Sequence, residues 1–310
     1  MDKLSVRLML FFKGMSMGAA DVVPGVSGGT IAFITGIYEE LIGSLRAVNL
    51  NAIKLLFTGK FVEFWKHING NFLLVLLAGI ATSVLSLSRL VLWLLENQPI
   101  LLWSFFFGLI LASIWSVGRN IDKFQRGRVS LFVIGAALAF WITRTAPANT
   151  PETNLFVLFS GALAICAMIL PGISGSFILL LLGKYKYILG AIKAMNIQVI
   201  AFFSVGMLGG ILAFSHLLSW LLKRYHDLTI ALLAGFMLGS LNKVWPWKIP
   251  VEVYTDSHGK IQPLLERNLL PGTYTETTGH ASELGMAIIM MLLGLLSVIL
   301  LDNMGRKKPE

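Results

Sequence analysis

PGVSGGTIAFITGIY, residues 24–38, recurs in the same chain as PGISGSFILLLLGKY, residues 171–185. The two copies align without a gap and share the proline, three glycines, the serine and the final tyrosine. Proline removes a helical hydrogen bond and glycine loosens the backbone, so each copy predicts a break in an otherwise apolar helix. A break repeated in this way indicates a duplicated fold.

The composition of the chain places it in a membrane. Of its 310 residues 56% are hydrophobic and 13% are charged, with a mean hydropathy of +0.77, whereas soluble domains carry about 25% charged residues. This excludes a soluble enzyme, a disordered chain and a nucleic-acid-binding module. A spanning helix needs about 20 apolar residues. Five runs contain no Asp, Glu, Lys or Arg: 71–88, 97–118, 153–183, 194–222 and 284–301.

The charge and the cysteine content set two further limits. The formal net charge of +9 is typical of cytoplasmic loops beside anionic lipids, and we expect no nucleic acid as a partner. The single cysteine, Cys166, excludes an intramolecular disulfide and a cysteine-based metal site. We therefore expect neither a metal nor a cofactor.

A second repeated block extends the duplication along the chain. Residues 79–113 align with residues 206–240 and share, for example, Trp93 with Trp220. The sequence therefore predicts two repeats, 1–150 and 151–310. Repeat one has an additional segment at 50–70, rich in Lys, Phe and Trp, which predicts an interfacial amphipathic helix.

Each repeat has the same order of apolar segments. Short segments at 6–23 and 29–42 flank the first break, and segments at 154–170 and 176–192 flank the second. Broken backbone at membrane depth survives only within protein or beside a wet cavity, so 6–42 and 154–192 are predicted to be re-entrant helical hairpins. Three longer helices follow in each repeat. The predicted spans are 72–95, 100–118 and 129–143 in repeat one, and 197–222, 228–245 and 284–301 in repeat two.

Positive charges predict the orientation of these spans. With both termini in the cytoplasm, basic residues at 46–66, 119–128 and 223–224 lie inside, whereas 96–99, 145–153 and a loop at 248–283 lie outside. Three spans per repeat is an odd number, so repeat two is inverted, as in secondary transporters. The predicted fold is an all-α polytopic membrane protein of two inverted-topology repeats, each a re-entrant hairpin plus three transmembrane helices. Three outer lysines depart from the charge rule: Lys184, Lys186 and Lys193.

The serines and glycines after each proline form a candidate anion site. Backbone N–H groups, hydroxyls and a partial positive charge of about 0.5 at each helix N-terminus attract anions. Glycine also lets a phosphate approach the backbone closely. The alternative is that small residues only let the helices pack tightly. The candidate substrate-binding residues are Ser27, Gly28, Gly29 and Thr30 in repeat one and Ser174, Gly175 and Ser176 in repeat two.

Four charged residues are further candidates, each with an alternative. Arg89 lies within a predicted span, where a charge is costly and indicates function, or it snorkels to the outer surface; His216 is its equivalent in repeat two. Asp21 and Glu39 are candidates for proton coupling, although Asp21 would otherwise cap a broken helix and Glu39 would lie in the cytoplasm. Lys184 is a candidate for capturing an anion from the outer side.

Three motifs resemble the bacterial polyprenyl-phosphate transporter family: GMSMGAADVVPGVSGGTIAFITGIYEELI at 14–42, LPGISGSFILLLLGKY at 170–185 and GSLNKVWPWK at 239–248. The similarity covers essentially the whole chain. It implies a multi-pass protein of the bacterial cytoplasmic membrane that returns undecaprenyl phosphate, the lipid carrier of cell-envelope polymers, from the outer to the inner leaflet. Membrane lipids and a second copy of the chain, in a homodimer, are the other expected partners. The motif positions include Asp21, Ser27–Thr30, Glu39, Ser174–Ser176 and Lys184, none of which the resemblance gives a proven role.

Other function classes stay open on the residues alone. PG-x-SG is similar to the PG-x-SR loop of integral undecaprenyl-pyrophosphate phosphatases, but Gly28 and Gly175 stand in place of the arginine. G-x-S-G also occurs in rhomboid proteases, for which His216 would be the only intramembrane histidine. An anion channel is a third alternative. The sequence favours a transporter over an enzyme.

Overall fold

The computed structural model describes residues 3–23, 25–119, 126–148, 150–255 and 261–306. Parts of the predicted topology rest on residues that lie outside the described ranges: Pro24, Lys123, and the terminal residues 1–2 and 307–310. The fold is mostly helical (78%). Its elements are α1 (Lys3–Asp21), α2 (Gly28–Ile34), α3 (Tyr38–Ala47), α4 (Leu50–Phe57), α5 (Phe61–His67), α6 (Gly70–Ser86), α7 (Ser88–Asn97), α8 (Pro99–Arg119), α9 (Arg126–Arg144), α10 (Asn154–Ile169), α11 (Gly175–Leu181), α12 (Tyr185–Lys193), α13 (Ile197–Arg224), α14 (His226–Ser240), β1 (Lys248–Thr255), β2 (Ile261–Asn268), α15 (Pro271–Thr278) and α16 (Leu284–Arg306).

The first break turns the chain back on itself. α1 ends at Asp21 and α2 begins at Gly28, with Ser27 as its N-cap. Lys13, about two turns before the end of α1, donates a hydrogen bond from Nζ to the Thr35 carbonyl just after α2 (2.7 Å). α2 therefore runs back along α1.

The second break has the same backbone geometry as the first. Gly25 and Gly172 are equivalent in sequence and have φ angles of +90° and +93°. Gly36 and Gly183 are also equivalent, with φ angles of +72° and +64°. Glycine adopts this left-handed backbone without the steric cost that a side chain would add. The duplicated glycines therefore make the same two turns in each half.

Each return segment consists of two short helices, which corrects the single segments predicted at 29–42 and 176–192. Gly36 and Gly183 follow α2 and α11, and a left-handed residue at this position ends a helix. The axes of α11 and α12 differ by 108°. α2 and α11 have seven residues each, a length of about 10 Å, which is too short to cross a membrane.

Glycines hold the helix pairs beside the breaks in close backbone contact. α1 packs on α6 and α10 packs on α13. A Cβ added to Gly14 or Gly79 in the first pair, or to Gly161 or Gly206 in the second, would collide with a backbone carbonyl of the facing helix. Small residues allow helix axes to approach in this way. Gly14 is equivalent in sequence to Gly161, and Gly79 is equivalent to Gly206. The pair α1–α6 of the first half therefore packs in the same way as the pair α10–α13 of the second half.

The remaining long helices pair across the two halves. α8 packs on α16, and α14 packs on α9. Gly108 of α8 faces the Met291 carbonyl of α16, while Gly235, at the equivalent position of α14, faces the Phe132 carbonyl of α9. The second long helix of each half thus packs on the third of the other half. This exchange joins the halves into one body.

Within the described ranges, three helices have the length and hydropathy to cross a membrane: α8 over 99–116, α9 and α13. The count rises to five if each sharply bent helix pair is one span. The predicted span 72–95 is divided into α6 and α7. The hydroxyls of Thr82 and Ser86 bond to carbonyls four residues earlier just before this division, a pattern that bends helices. Residues 50–70 form α4 and α5 rather than one helix, because Gly59 takes a φ of +73°.

Residues 248–283, predicted as a loop of an all-α fold, contain a β-hairpin, so the all-α prediction is wrong in this segment. β1 and β2 pair antiparallel, with Lys248 opposite Asn268 and a register shift between Pro250 and Val253. The sequence IPVEVYT is rich in β-branched residues, as strands are. The prolines of this segment favoured a loop, and a proline at a bulge is compatible with an edge strand.

Candidate functional site

The two PG-x-SG loops meet inside the protein. Ser27 Oγ donates to the Met168 carbonyl at the end of α10 (2.8 Å), and Thr30 Oγ1 accepts a hydrogen bond from the Gly172 amide (2.8 Å). Tyr38 Oη donates to the Ile169 carbonyl (3.2 Å). Side chains of the first hairpin therefore satisfy backbone groups of the second hairpin. The structure brings together the two candidate loops that are far apart in sequence.

A carboxylate occupies the N-terminus of α2. The Gly28 amide donates to Asp21 Oδ1 (2.6 Å), and a Cβ added to Gly28 would lie 2.5 Å from Asp21 Oδ2. The neighbouring Gly29 amide donates to Ser27 Oγ (3.0 Å). The interpretation of Asp21 as the cap of a broken helix is thus confirmed. The Asp21 carboxyl group thus occupies the helix N-terminus at the first loop, whose residues Ser27–Thr30 are buried.

The second loop is more accessible than the first. Ser174 is buried, whereas Gly175 and Ser176 are half-buried. The Ser174 and Ser176 hydroxyls bond to each other (2.7 Å), and Ser174 Oγ accepts from the Phe177 amide at a long 3.4 Å. The residue equivalent to Asp21 is Met168, so this loop lacks the carboxylate that fills its counterpart.

Lys243, just after α14, contacts Gly25 of the first loop and Phe177 of α11, and it was missed as a site residue. A Cβ added to Gly25 would lie 2.7 Å from Lys243 Cγ, and Lys243 Nζ lies 5.0 Å from the centre of the Phe177 ring. Lys243 lies inside the predicted span 228–245 and was not among the predicted site residues. Its presence in the motif GSLNKVWPWK was the available signal.

A second lysine and a glutamate of the β-hairpin complete this cluster. Glu266 Oε2 lies 2.7 Å from Lys243 Nζ and 3.6 Å from Lys248 Nζ. Lys248 Nζ also donates to the Lys243 carbonyl (2.9 Å) and lies 3.5 Å from the centre of the Trp103 ring. The three charged side chains are only 6–16% exposed. We refer to Lys243, Lys248 and Glu266 as the outer ion cluster, after the side of the membrane on which the charge pattern predicts the β-hairpin to lie.

Burial and mutual attraction shift the pKa values in the outer ion cluster. Burial lowers the pKa of Lys248 to about 8. Burial also acts to raise the pKa of Glu266, but attraction to Lys248 and Lys243 outweighs it and leaves that pKa below its ordinary value. Glu266 is therefore ionised at neutral pH, and the attraction between opposite charges stabilises its position.

Lys184 is buried and separated from the second loop by the length of α11. It is 1% exposed, donates from Nζ to the Thr150 carbonyl (2.6 Å), and lies 5.6 Å from the ring centres of both Phe156 and Tyr187. Aromatic faces attract a cation at such distances. The structure therefore holds the Lys184 charge in an aromatic cage, apart from Ser174–Ser176.

Arg89 and His216 do not join the loops. Arg89 is exposed near the start of α7. His216 is exposed on α13, and its Nδ1 lies 2.8 Å from the Leu212 carbonyl. It lines a groove of about 230 Å³ with residues that include Arg46 and Asn49. The two positions are equivalent in sequence but occupy different surroundings.

Glu39 belongs to a surface network at the start of α14. His226 Nε2 lies 2.9 Å from Glu39 Oε1, and His226 Nδ1 lies 3.1 Å from Asp227 Oδ1. Arg128 pairs with Asp227 at 2.5 Å. The hydrogen bonds that the His226 ring donates to Asp227 and to Glu39 raise the pKa of His226 above its ordinary value.

A cavity lies beside this network. Its volume is about 160 Å³, and Arg46 on its wall donates from Nη1 to Ser219 Oγ (3.1 Å). Glu39 and Lys223 also line it. Basic and polar groups thus gather at the end of the molecule that the charge pattern assigns to the cytoplasm.

Ser27 and His216, which the protease alternative would pair, bond to different partners. Ser27 Oγ bonds to Gly29 and Met168, whereas the His216 ring bonds to Leu212. Within the described ranges, no group of three or more His, Cys, Asp or Glu residues is placed to hold a metal.

The fold and the site define a polytopic helical membrane protein with paired helix breaks beside buried cations. The chain belongs to the undecaprenyl phosphate translocase-like family, whose pattern matches residues 17–262. It is 47% identical over 300 residues, 97% of both chains, to the polyprenyl-phosphate transporter of Vibrio cholerae serotype O1. It is 31% identical over 252 residues to the polyprenyl-phosphate transporter of Staphylococcus aureus, covering 76% of this chain and 84% of that one. No solved structure matches the chain.

These comparisons confirm the family resemblance found in the sequence. Both relatives are named transporters, which agrees with the expectation of a transporter rather than an enzyme.

Proposed function

We propose that this chain moves a polyprenyl phosphate, the carrier undecaprenyl phosphate, from the outer to the inner leaflet of the bacterial cytoplasmic membrane. The names of the family and of both relatives support this substrate class. The observation that carries the proposal is the meeting of the two broken-helix loops beside Lys243. A lipid phosphate needs such a polar crossing point, because burying an unpaired ion in hydrocarbon costs many kcal/mol.

The proposed architecture is a pair of inverted repeats, 1–150 and 151–310, each with a re-entrant hairpin. The equal φ angles at Gly25 and Gly172 and the exchanged pairing of α8 and α14 support the duplication. Both termini then lie in the cytoplasm and the β-hairpin outside. Reagents that cannot cross the membrane should label single cysteines at 97–99 from outside and at 126–128 from inside; the reverse result would contradict this orientation.

The proposed headgroup path runs between the two loops. Ser27–Thr30 and Ser174–Ser176 supply hydroxyl and amide groups at its centre, with Lys243 on the outer side and Arg46 towards the inner side. α2 and α11 have only seven residues each, so their helix dipoles contribute little. Side-chain cations therefore supply most of the positive charge along the proposed path. Arg89, which is exposed, is the proposed accessory site of capture at the periphery of this path. Lys184 is buried, so its proposed role in capture requires its side chain to leave the aromatic cage.

Asp21 is the proposed link between the path and protons. A phosphate monoester carries about −1.5 to −2 charges at pH 7, and the Asp21 carboxylate on the Gly28 amide would repel it. Protonation of Asp21 removes that charge and weakens the bond to Gly28, which frees the amide for the headgroup. Glu39, on the inner side, is the proposed site of proton release.

Reconstituted protein tests the function directly. Liposomes carry a fluorescent short-chain polyprenyl phosphate, and an impermeant quencher reports how much of it is in the outer leaflet. Wild-type protein should move the lipid inward without releasing inorganic phosphate. The double variant Ser174→Ala, Ser176→Ala should slow this about 10-fold or more, since hydrogen bonds to a charged group contribute about 1.5–3 kcal/mol. The control is Ser130→Ala, an exposed serine of α9.

Two results would contradict the proposal. Phosphate release by the wild-type protein would indicate a phosphatase. A wild-type rate no greater than that of protein-free liposomes would exclude transport of this lipid.

A further inference from the structure

The outer ion cluster has one more positive charge than negative charge. Lys243 and Lys248 share a single carboxylate oxygen of Glu266, so two cations and one anion give a net charge of +1. Buried charges are stable when they are paired, and an excess of one sign is costly. The cluster therefore has the capacity to accept more negative charge than Glu266 supplies.

A phosphate monoester matches this capacity better than a carboxylate does. Its charge of about −1.5 to −2 near pH 7 would neutralise both lysines, and its three oxygens can contact two ammonium groups at once. Lys243 also touches Gly25 and Phe177, one residue in each hairpin. An anion bound at Lys243 would thus lie at the outer end of the path between the loops.

Glu266 reaches the lysines from a strand that is anchored just beyond it. Asn268 Nδ2, two residues later, donates to the Asn242 carbonyl (2.7 Å), and Trp245 Nε1 donates to the Leu269 carbonyl (2.8 Å). These bonds fix the base of the β-hairpin without involving the Glu266 carboxylate. The Glu266 side chain can therefore leave the lysines while the base of the hairpin stays in place.

We propose that Lys243 and Lys248 form the outer phosphate-binding subsite and that Glu266 is a built-in competitor that occupies it until a lipid phosphate displaces the carboxylate. The identity of the ligand rests on the proposed function; the competition rests on the geometry of the cluster. The structure describes the subsite with its competitor bound. Displacement opens the outer end of the path only when a phosphate is present.

Glu266→Gln in the full-length protein tests this competition, with Glu252→Gln as the matched control. Glu252 is exposed on the same hairpin, so both variants lose one carboxylate, but only the first frees the lysines. We expect Glu266→Gln to bind dodecyl phosphate about tenfold more tightly, because apparent affinity scales with the fraction of sites that are free to bind. Lys243→Gln should bind it at least about tenfold more weakly, a loss of about 1.4 kcal/mol. Titration calorimetry in lipid nanodiscs measures both, with inorganic phosphate as a second probe that separates a headgroup from the free ion.

Hydrogen exchange in the wild-type protein supplies an independent measurement if a variant folds poorly. Saturating dodecyl phosphate should speed amide exchange at residues 265–267, because the Glu266 carboxylate no longer ties this part of β2 to the lysines, whereas exchange at 268–269 should stay unchanged. Equal affinity of the folded Glu266→Gln and Glu252→Gln variants would overturn the proposal, as would unchanged exchange at saturation. Tighter binding by Glu266→Gln in a protein that does not transport polyprenyl phosphate would support the subsite and contradict the proposed function.

Discussion

The two PG-x-SG loops have nearly the same sequence and the same backbone turns, yet their surroundings differ. The first is buried, and its helix N-terminus is occupied by Asp21. The second has half-buried Gly175 and Ser176, and the equivalent of Asp21 is Met168. The duplicated motif is thus buried in the first half, where Asp21 occupies the helix N-terminus, and more exposed in the second half.

This difference indicates that the two loops of the duplicated fold have different roles. The first loop binds the second: Ser27 and Thr30 satisfy the backbone at Met168 and Gly172. The second loop keeps its serine hydroxyls bonded to each other, and a ligand can replace that bond easily. The first loop is therefore the structural partner in this conformation, and the second is the better candidate for contact with substrate.

The largest expected effect comes from the glycine that packs the second loop. A Cβ at Gly175 would lie 2.6 Å from the Ala164 carbonyl, which is backbone and cannot rotate away. Gly175→Ala should cost about 1–3 kcal/mol, as overpacking does. The unfolding midpoint of the purified protein measures this. Gly190→Ala on α12, which has open space around it, is the control and should not lower the midpoint.

The hydroxyls of the two loops should differ in their contribution to stability. Thr30→Val keeps the shape but leaves the buried Gly172 amide without an acceptor, at a cost of about 1–3 kcal/mol. Ser174→Ala removes only a long 3.4 Å cap bond and an exchangeable serine pair, so it should cost less than about 1 kcal/mol. Denaturant unfolding of the two variants compares them. Equal losses would contradict the structural role assigned to the first loop.

The smallest expected effect concerns the acid that follows the first hairpin. Glu39 pairs with His226, whereas its equivalent in the second half is Lys186. Because the pKa of His226 is raised, its protonated form stabilises the fold fully below about pH 6.5, and this contribution is lost as the pH rises through the raised pKa. The pair is half-exposed, so its contribution stays below about 1 kcal/mol.

His226→Gln should therefore flatten the dependence of the unfolding midpoint on pH above about 6.5. His280→Gln, which changes an exposed histidine far along the chain, should keep the wild-type profile. If the unfolding midpoint of His226→Gln depended on pH as that of the wild-type protein does, the pair of His226 with Glu39 would not stabilise the fold.

The sequence predicted the parts of the site that depend on local backbone chemistry. The turns at Gly25 and Gly172 follow from proline and glycine, and Asp21 was recognised as a possible helix cap from its position before the break. The meeting of the two loops agrees with the single anion site that the residues of both loops were predicted to form. These features depend on neighbours in sequence or on a pattern that occurs twice.

The outer ion cluster could not be predicted in the same way. Lys243 lay within a predicted span, and Glu266 lay in a segment whose prolines favoured a loop. Their contact depends on the antiparallel pairing of β1 with β2 and on hydrogen bonds that join this hairpin to residues 242–245, just after α14. All of these residues belong to repeat two, and the described residues of repeat one contain no matching strand pair. A non-repeated contact of this kind leaves no internal pattern in one sequence.

The most direct test of the central claim is a cryo-electron microscopy structure of the wild-type protein in nanodiscs with a polyprenyl monophosphate. We predict headgroup density within hydrogen-bonding distance of Ser174 or Ser176 and of Lys243, with the Glu266 carboxylate moved away from both lysines. Headgroup density elsewhere, with Glu266 still bound to Lys243, would contradict the account.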